Sequence, residues 1–322
     1  MLGDYELLTR LTSGGMAEIF LARQTGIGGL ERLVVIKRVL PEHAEDENFT
    51  EMFLREARIV ARINDPNVVQ IFELGAEGGD YFLSLEYIHG LTIAELIDAA
   101  AKSGSWFPLG VSISVIEQAC KGLNQVHEVR DLEGKRMGLI HRDVSHQNFM
   151  CNEEGFVKLI DFGIAKSTES AQEATYSGAV KGKYAYMSPE QCSRDELDRR
   201  TDIFSIGVVA WEIFAGKRLF KRQDKLETVK AITQEEIPPP SSNNPNLPGR
   251  IDRVVMRALE KDPNSRYQTA EEFRSALLEA GRSLNLEVGP DKVADYVEGV
   301  AGSVLEERRR ELRRAIDQST KT

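Results

Sequence analysis

Two carboxylates and one amide are spaced in the sequence so that together they could hold a magnesium-bound phosphate. Asp143 follows a His-Arg pair, Asn148 comes five residues later, and Asp161 follows Asp143 by eighteen positions. Carboxylate and amide oxygens are ligands that Mg²⁺ accepts in proteins. Two short apolar runs flank the turn at 152–155, so the sequence predicts that one β-hairpin separates Asn148 from Asp161.

The elements that must position these residues divide into two regions. From Tyr5 to about Tyr87, five short β-rich runs are broken by turns and by one helix at 49–63, where apolar residues recur at helical spacing. Further helices are predicted at 92–102, 109–129, 202–214, 225–232, 251–259 and 270–280. The predicted fold class is therefore α+β, with a small sheet, a hinge near 86–90 and a larger, mainly helical region.

The motifs resemble those of protein kinases. The triplet ending at Asp143, together with Asn148, matches H-R-D-x-x-x-x-N, and the triplet starting at Asp161 matches D-F-G, in the family's order. The segments Gly-Gly-Met-Ala-Glu and Met-Ser-Pro-Glu-Gln are similar to those of eukaryotic-like bacterial serine/threonine protein kinases of the Hanks type. The resemblance implies the bilobal kinase fold, with an antiparallel N-lobe sheet and one regulatory helix. It divides the chain into an N-lobe at 1–88, a C-lobe at 89–283 and a helical extension at 284–322.

The resemblance also implies an activity, namely transfer of the γ-phosphate of ATP to Ser/Thr hydroxyls of proteins in bacterial signal transduction. Asp143 would accept or orient the substrate hydroxyl proton, while Asn148 and Asp161 would hold two magnesium ions. Lys37, at the end of a run resembling V-A-I-K, would pair with Glu56 and face the α- and β-phosphates. Because the helix of Glu56 can swing, this pair would act as a switch.

The turn at 11–20 resembles the kinase glycine-rich loop in a degraded form. Thr12 and Ala17 stand where the first and third glycines are usual, which leaves Gly14 and Gly15 to let backbone N–H groups approach the phosphates. The resemblance implies further nucleotide contacts from Leu11, Ile19, Val35 and Met150 around adenine, backbone bonds at Glu86 and Ile88, and Leu85 as gatekeeper.

The catalytic loop departs from the family at Ser145, where Ser/Thr kinases have a lysine that faces the γ-phosphate. Lys183 stands where they have threonine, in a segment resembling G-T-P-x-Y-M-A-P-E. Our hypothesis is that the two positions exchange roles, so that Lys183 brings its ammonium back toward Asp143 and Ser145 supplies the hydroxyl. The alternative is that Lys183 faces solvent and the enzyme is weak or inactive.

The segment before Glu190 carries several hydroxyls that could be phosphorylated. Thr175 and Ser177 are the favoured autophosphorylation sites, and Arg142 could bind the added phosphate through charge-assisted hydrogen bonds. A Ser/Thr-rich segment is also what a plain exposed loop contains.

Scaffold roles are implied by the family pattern for several residues. Glu190 should pair with Arg266, Asp202 should anchor the catalytic-loop backbone, and His141 should pack under that loop. The charged segment 130–136 makes its connection longer than is usual in the family. A solvated loop is the simpler interpretation of it, and a docking surface is the alternative.

Composition excludes some classes of protein. The net charge of −10 argues against a nucleic-acid partner, because such binding needs a field of Lys and Arg. The three cysteines are far apart and suggest neither a zinc site nor disulfides. No signal peptide or membrane span is evident, so a cytoplasmic location is expected.

Beyond residue 286 the kinase pattern ends and Pro290 opens one more helix. Its apolar stripe could pack on the C-lobe, pair with a second copy in a homodimer, or link to segments absent here; it comprises Val293, Val297, Val300, Val304, Leu312 and Ile316. The charged residues at 306–314 are most simply a solvated face with pairs such as Glu306 with Arg310. The alternative is that this charged face binds a membrane surface.

Three rival functions stay open at this point. A pseudokinase that binds ATP as a scaffold is suggested by Thr12, Ala17, Ser145 and Lys183, whereas retention of the catalytic set argues against it. A small-molecule phosphotransferase is disfavoured by the S-P-E segment. Tyrosine specificity is less favoured, although Ser145 removes the usual Ser/Thr marker and leaves dual specificity open.

Overall fold

Five antiparallel strands form the sheet of the N-terminal region. The computed structural model of the chain describes residues 2–14, 16–162 and 184–319. In the sheet the strands lie in the order β1-β2-β3-β5-β4. They are β1 (Tyr5–Ser13), β2 (Ala17–Thr25), β3 (Glu31–Val39), β4 (Ile71–Glu77) and β5 (Asp80–Glu86). The antiparallel N-lobe sheet is as predicted, except that β4 begins three residues later than the apolar run at 68–74 suggested.

The two faces of this sheet have different neighbours. Val34 and Ile36 lie on the outer face in a small apolar cluster with Phe82. Side chains alternate along a strand, so Val35 and Lys37 lie on the inner face. Lys37 is paired in register with Ile19 on β2. The alternation in β3 therefore places the Lys37 ammonium on the side that faces the rest of the molecule.

Two helices follow β3, where the sequence predicted one. The short α1 (Pro41–Ala44) leads into α2 (Glu47–Val60). Asp46 caps α2, because its carboxylate accepts hydrogen bonds from the backbone N–H groups of Asn48 and Phe49. This cap explains why α2 begins two residues before the predicted start.

The larger region contains the predicted helices and a second, three-stranded sheet. That sheet comprises β6 (Gly90–Thr92), β7 (Phe149–Asn152) and β8 (Val157–Leu159), so the predicted hairpin between Asn148 and Asp161 is confirmed. The helices are α3 (Ile93–Ser103), α4 (Leu109–His127), α5 (Pro189–Ser193), α6 (Arg200–Ala215), α7 (Lys225–Gln234), α8 (Gly249–Ala258), α9 (Ala270–Ser283) and α10 (Pro290–Ser319). Every residue of α6 from Thr201 to Ala215 is buried, which makes α6 the centre of this region. The segment 130–136 closes as a short hairpin with a bridge between Arg130 and Arg136.

The last helix, α10, packs on the chain's own C-lobe, which is the first of the three predicted alternatives. Val293 and Val297 are buried, and the Tyr296 hydroxyl donates to the Ser105 carbonyl at 3.1 Å. Gly155 permits the close approach, because a Cβ there would lie 2.0 Å from the Pro290 carbonyl oxygen. Among the described residues, no helix combines the length and apolar character that crossing a bilayer requires.

Two details of the predicted α10 are wrong. Leu305 is buried whereas Val304 is 38% exposed, so the stripe drifts off the expected valines. The charged face is also not simply solvated, because Arg308 donates to the Gly90 carbonyl at 2.5 Å and pairs with Glu95. Glu306 pairs with Arg309 rather than with Arg310. Arg308 therefore helps to attach the helix to the lobe.

Candidate active site

The catalytic loop is anchored from below by Asp202 on α6. Its carboxylate accepts from the backbone N–H of His141 at 2.8 Å and of Arg142 at 2.9 Å. The side chain of His127 lies 2.7 Å from the same carboxylate. Burial would raise the pKa of Asp202, but the hydrogen bond and charge of His127 and the contacts of His141 outweigh it, so the pKa falls below its usual range. The predicted anchoring role of Asp202 is confirmed.

Arg142 has a backbone conformation that is rare for its type. Its φ is +64°, in the left-handed region that favours glycine. Two contacts hold it there, since its N–H donates to Asp202 and its carbonyl accepts from Gln191 Nε2 at 3.1 Å. Such strain persists only where the surroundings enforce it, and here it directs the chain toward Asp143.

Asp143 and Asn148 are held together by the amide of Asn148. The Nδ2 atom of Asn148 lies 2.6 Å from the Asp143 carbonyl oxygen and 3.1 Å from its Oδ2 atom. Both side chains are buried, at 9% and 5% exposure. Both contacts are made by the amide nitrogen of Asn148. The amide oxygen therefore points away from Asp143 and can coordinate a cation.

Asp161 lies at the end of β8, where the two lobes meet. Its Oδ1 atom is 2.6 Å from Lys37 Nζ, and its side chain is 40% exposed. Phe162 is buried and its ring lies 5.5 Å from the ring of His141, as expected for a histidine that packs under the loop. The carboxylate of Asp161 and the amide oxygen of Asn148 are groups that Mg²⁺ accepts, so their chemistry fits the predicted metal role, which stays a prediction.

The expected pair between Lys37 and Glu56 is wrong for this structure. Within the described residues, Lys37 forms its ion pair with Asp161. Burial raises the pKa of Glu56 to about 7, against the opposing charges of Arg142 and Arg55. The sequence could not fix this partner, because the choice depends on where α2 lies relative to β3.

The predicted adenine contacts lie on the five-stranded sheet, at the hinge and, for Met150, on β7. Leu85 stands opposite Val35 in the register of β3 and β5 and is buried, as is Ile88. Leu11 is 50% exposed, while Ile19 and Met150 are partly buried. The side chain of Glu86 is held by Lys158 at 2.8 and 2.9 Å, a contact that the sequence did not suggest.

Several predicted residues lie outside the residues that the structure describes, namely Gly15, Lys183, Thr175 and Ser177. Gly14 is described, and its N–H donates to the Ala17 carbonyl at 2.9 Å. Ser145 is buried, and its hydroxyl has no hydrogen-bond partner among the described residues. The exchange of roles between Ser145 and Lys183 therefore stays a hypothesis.

The predicted pair of Glu190 with Arg266 is confirmed. Arg266 holds both carboxylate oxygens, at 2.7 and 2.8 Å, and its side chain is wholly buried. Thr201 also donates to Glu190 at 3.0 Å. Burial would raise the pKa of Glu190, but the hydrogen bonds and charge of Arg266 lower it.

The sequence analysis missed a polar cluster beside the catalytic loop, which comprises His146, Tyr186, Glu212 and Arg218. Tyr186 donates to Glu212 at 3.2 Å, and its hydroxyl lies 2.7 Å from Nδ1 of His146. Arg218 contacts all three of the other members through NH1. Burial, helped by the charge of Arg218, lowers the pKa of His146 to about 3, so its ring is neutral. The available signal was Glu212, the one acid inside the apolar run of α6 after Asp202.

Comparisons with known proteins agree with this geometry. The chain matches the family described as protein kinase domain over residues 5–277. It is 42% identical over 275 residues to the tyrosine-protein kinase MasK of Myxococcus xanthus, covering 85% of this chain and 42% of that protein. It is 36% identical over 279 residues to the serine/threonine-protein kinase PknB of Mycobacterium tuberculosis, covering 85% and 42%. The chain thus spans about two-fifths of the length of these relatives.

A solved structure shows the same fold. The crystal structure of the Mycobacterium tuberculosis PknI kinase domain has a TM-score of 0.66 at 24% identity, covering 87% of this chain and 97% of that one. This likeness confirms the predicted bilobal fold, with an antiparallel sheet in the N-lobe and a mainly helical C-lobe.

Proposed function

Because the chain belongs to the protein kinase domain family, we propose that it transfers the γ-phosphate of ATP to serine or threonine hydroxyls of protein substrates. The observation that carries this proposal is a pair of side-chain contacts that the backbone bond from Ile160 N–H to the Asn148 carbonyl, at 3.0 Å, holds next to each other. Lys37 reaches Asp161 at 2.6 Å, and Asn148 holds Asp143 at 3.1 Å. A scaffold that only bound nucleotide would have no use for Asp143 held in this way.

The chain's own residues would perform the reaction mainly by positioning. Asn148 fixes the Asp143 carboxylate, which would orient the substrate hydroxyl and take its proton late in the transfer. Asp202 and Arg142 keep the loop backbone in place beneath it. No strong base is needed in a loose transition state, so the ordinary basicity of a carboxylate is sufficient.

ATP would lie between the inner face of the sheet and β7. Leu11, Ile19, Val35 and Met150 would enclose the adenine, while the backbone of Glu86 and Ile88 would bind its edge beside Leu85. Gly14 and Gly15 would admit the phosphates, and Lys37 would orient the α- and β-phosphates. Asn148 and Asp161 would hold Mg²⁺, which when bound neutralises charge on the phosphoryl oxygens.

Tyrosine is the second candidate acceptor. The relative MasK is named a tyrosine-protein kinase, and Ser145 replaces the lysine that marks Ser/Thr kinases. We favour Ser/Thr because PknB and other relatives carry that name. A homodimer and a cytoplasmic location stay predictions, as does autophosphorylation at Thr175 or Ser177.

The test is transfer of labelled γ-phosphate from Mg-ATP to the purified protein, to casein and to myelin basic protein, followed by phosphoamino-acid analysis. We expect labelled phosphoserine or phosphothreonine with the wild type and none with Asp143→Asn. Asp198→Asn, a substitution at a half-exposed carboxylate, is the matched control and should keep full activity. Nucleotide binding without transfer to any acceptor would favour the scaffold, and phosphotyrosine alone would favour the second candidate.

A further inference from the structure

Arg218 is held at the edge of the catalytic loop by only one of its three guanidinium nitrogens. NH1 donates to Glu212 at 2.8 Å and to Nδ1 of His146 at 3.2 Å, and it also contacts the Tyr186 hydroxyl. The Glu212 side chain is 2% exposed, whereas that of Arg218 is 50% exposed. The buried cluster therefore fixes the guanidinium while leaving part of it in solvent.

The other two nitrogens of Arg218, Nε and NH2, form no hydrogen bond with any residue that the structure describes. A guanidinium presents its N–H groups in a rigid planar fork that matches a carboxylate. Since rotation of the fork is already restrained at NH1, little further ordering is needed to bind an anion. Arg218 is thus a preorganised cation with open donors.

Most of the exposed charges near Arg218 in the sequence are positive. Lys217 and Lys221 are exposed and form no ion pair within the described ranges, and Lys225 lies 4.3 Å from the ring centroid of Tyr184. Arg222 differs, because Glu235 neutralises it at 2.8 Å. Asp98 on α3 is the acid whose charge acts on Arg218. In a chain of net charge −10, this surface is locally basic.

The place of this surface relative to the chemistry follows from His146. That residue opens the turn His146–Asn148, and Asn148 holds Asp143. Tyr186 belongs to the segment that leads into α5 and hence to Glu190. Arg218 therefore lies beside the catalytic loop rather than on a remote surface.

We propose that Arg218 determines substrate specificity, by binding the carboxylate of an Asp or Glu residue that flanks the accepted hydroxyl. The inference rests on the proposed function, since it assumes that a peptide lies along the catalytic loop. Without Arg218, the Glu212 carboxyl group would be open to a basic residue of the substrate. Because Arg218 covers Glu212, the site selects acidic peptides instead.

The test compares two fluorescent peptides that carry the same serine, one flanked by Asp residues and the other by Asn residues. Their binding to the purified protein is measured by fluorescence anisotropy with a non-hydrolysable ATP analogue and Mg²⁺. We expect the wild type to bind the Asp peptide about fivefold more tightly than the Asn peptide, as one exposed charge-assisted contact gives. The preference should shrink at 0.5 M salt, because screening weakens exposed charge pairs.

Two variants test the residue itself. Arg218→Gln should bind both peptides equally, and so should Glu212→Gln with Arg218→Gln, which removes the buried charge together with its partner. Arg222→Gln is the matched control and should keep the preference, because its charge is already paired. The idea is overturned if the wild type does not discriminate, or if the preference survives in both Arg218 variants. Binding is measured without transfer, so an inactive enzyme would contradict the proposed function and leave this result decisive.

Discussion

The two sides of the cleft satisfy their charges to different degrees. On the C-lobe side, Asp202 accepts three hydrogen bonds, and both oxygens of Glu190 are held by Arg266. On the N-lobe side, Glu56 is partly buried, and Lys37, its predicted partner, pairs with Asp161 instead. In the C-lobe floor of the site, the carboxylates of Asp202 and Glu190 are thus both paired, whereas in the N-lobe roof Glu56 forms no ion pair with any residue that the structure describes.

The pKa directions show the same contrast. Asp202 and Glu190 are buried, yet their partners lower each pKa below its usual range. Burial of Glu56 meets only the more distant charges of Arg142 and Arg55, so its pKa rises to about 7. For these three carboxylates, the direction of the pKa shift therefore follows whether strong hydrogen-bonding partners are in contact. Asp202 and Glu190 thus have their partners in contact, whereas Glu56 on α2 has only more distant charges.

The largest expected effect comes from removing Arg266, the partner of Glu190 in the floor of the site. Arg266→Ala leaves Glu190 charged, buried and unpaired, which should lower the free energy of unfolding by about 3–5 kcal/mol. Urea unfolding followed by circular dichroism measures this change. Arg274→Ala, at a partly exposed arginine that pairs with Glu117, is the control and should cost less than about 1 kcal/mol. Similar losses in both variants would contradict the contrast.

The next effect is expected at Asp202. Asp202→Asn keeps the size of the side chain but replaces one acceptor oxygen by a donor, so the N–H groups of His141 and Arg142 cannot both be satisfied. We expect a loss of about 2–3 kcal/mol in stability and at least a tenfold fall in phosphate transfer. Stability is measured in urea and transfer with labelled ATP. A fully active Asp202→Asn protein would show that the loop holds itself in place.

A smaller and pH-dependent effect is expected at Glu56. Its folded pKa of about 7 lies above the ordinary value of 4.5, so the stability that this group contributes is full below pH 4.5 and is lost as the pH rises through 7. Because the side chain is partly exposed, we expect Glu56→Gln to be more stable than wild type by only about 1 kcal/mol at pH 8. Near pH 4.5 the two should be equal.

The measurement for Glu56 is urea unfolding of both proteins between pH 4.5 and pH 8. Glu51→Gln, at an exposed position of the same helix, should differ from wild type by the same amount at every pH. If the stability difference between wild type and Glu56→Gln does not change with pH, Glu56 is paired with a cation in solution. The N-lobe carboxylate would then be as well paired as Asp202 and Glu190, which would contradict the comparison.

The smallest effect is expected where α10 attaches to the lobe. Arg308→Ala removes the bonds to the Gly90 carbonyl and to Glu95, both partly exposed, and should cost no more than about 1 kcal/mol. Thermal unfolding of Arg308→Ala and of Arg313→Ala, at an exposed residue of α10, separates the attachment from a general effect of charge. Equal melting temperatures would mean that apolar packing alone holds the helix.

What the sequence could predict was local in character. The hairpin between Asn148 and Asp161 follows from short-range pattern, and the partners of Asp202 and Glu190 follow from motifs that the family keeps in order. The partner of Lys37 did not follow, because it depends on how far α2 swings, a property of the whole N-lobe. The sequence did not reveal the cluster of Arg218, because its members come from three separate segments of the chain.

The prediction of the apolar stripe of α10 was partly wrong for a geometric reason. Over two turns, spacings of three and four residues keep side chains on one face of a helix. Over the thirty residues of α10, a helix of 3.6 residues per turn gradually turns such a stripe away from the surface on which it packs. Val304 consequently leaves the interface and Leu305 enters it. Long helices therefore need a partner surface, as well as a pattern, before their contacts can be assigned.

The last turn of α10 has a consequence for the order of synthesis. Arg23 on β2 donates to the Ser319 hydroxyl at 3.0 Å, across 296 positions of sequence. The β1–β2 hairpin is synthesised long before Ser319, so it can form without this contact. Closing so long a segment also carries a high entropic cost, which places the contact among the last to form. The newly made chain would thus acquire its catalytic loop before α10 links β2 to the C-lobe.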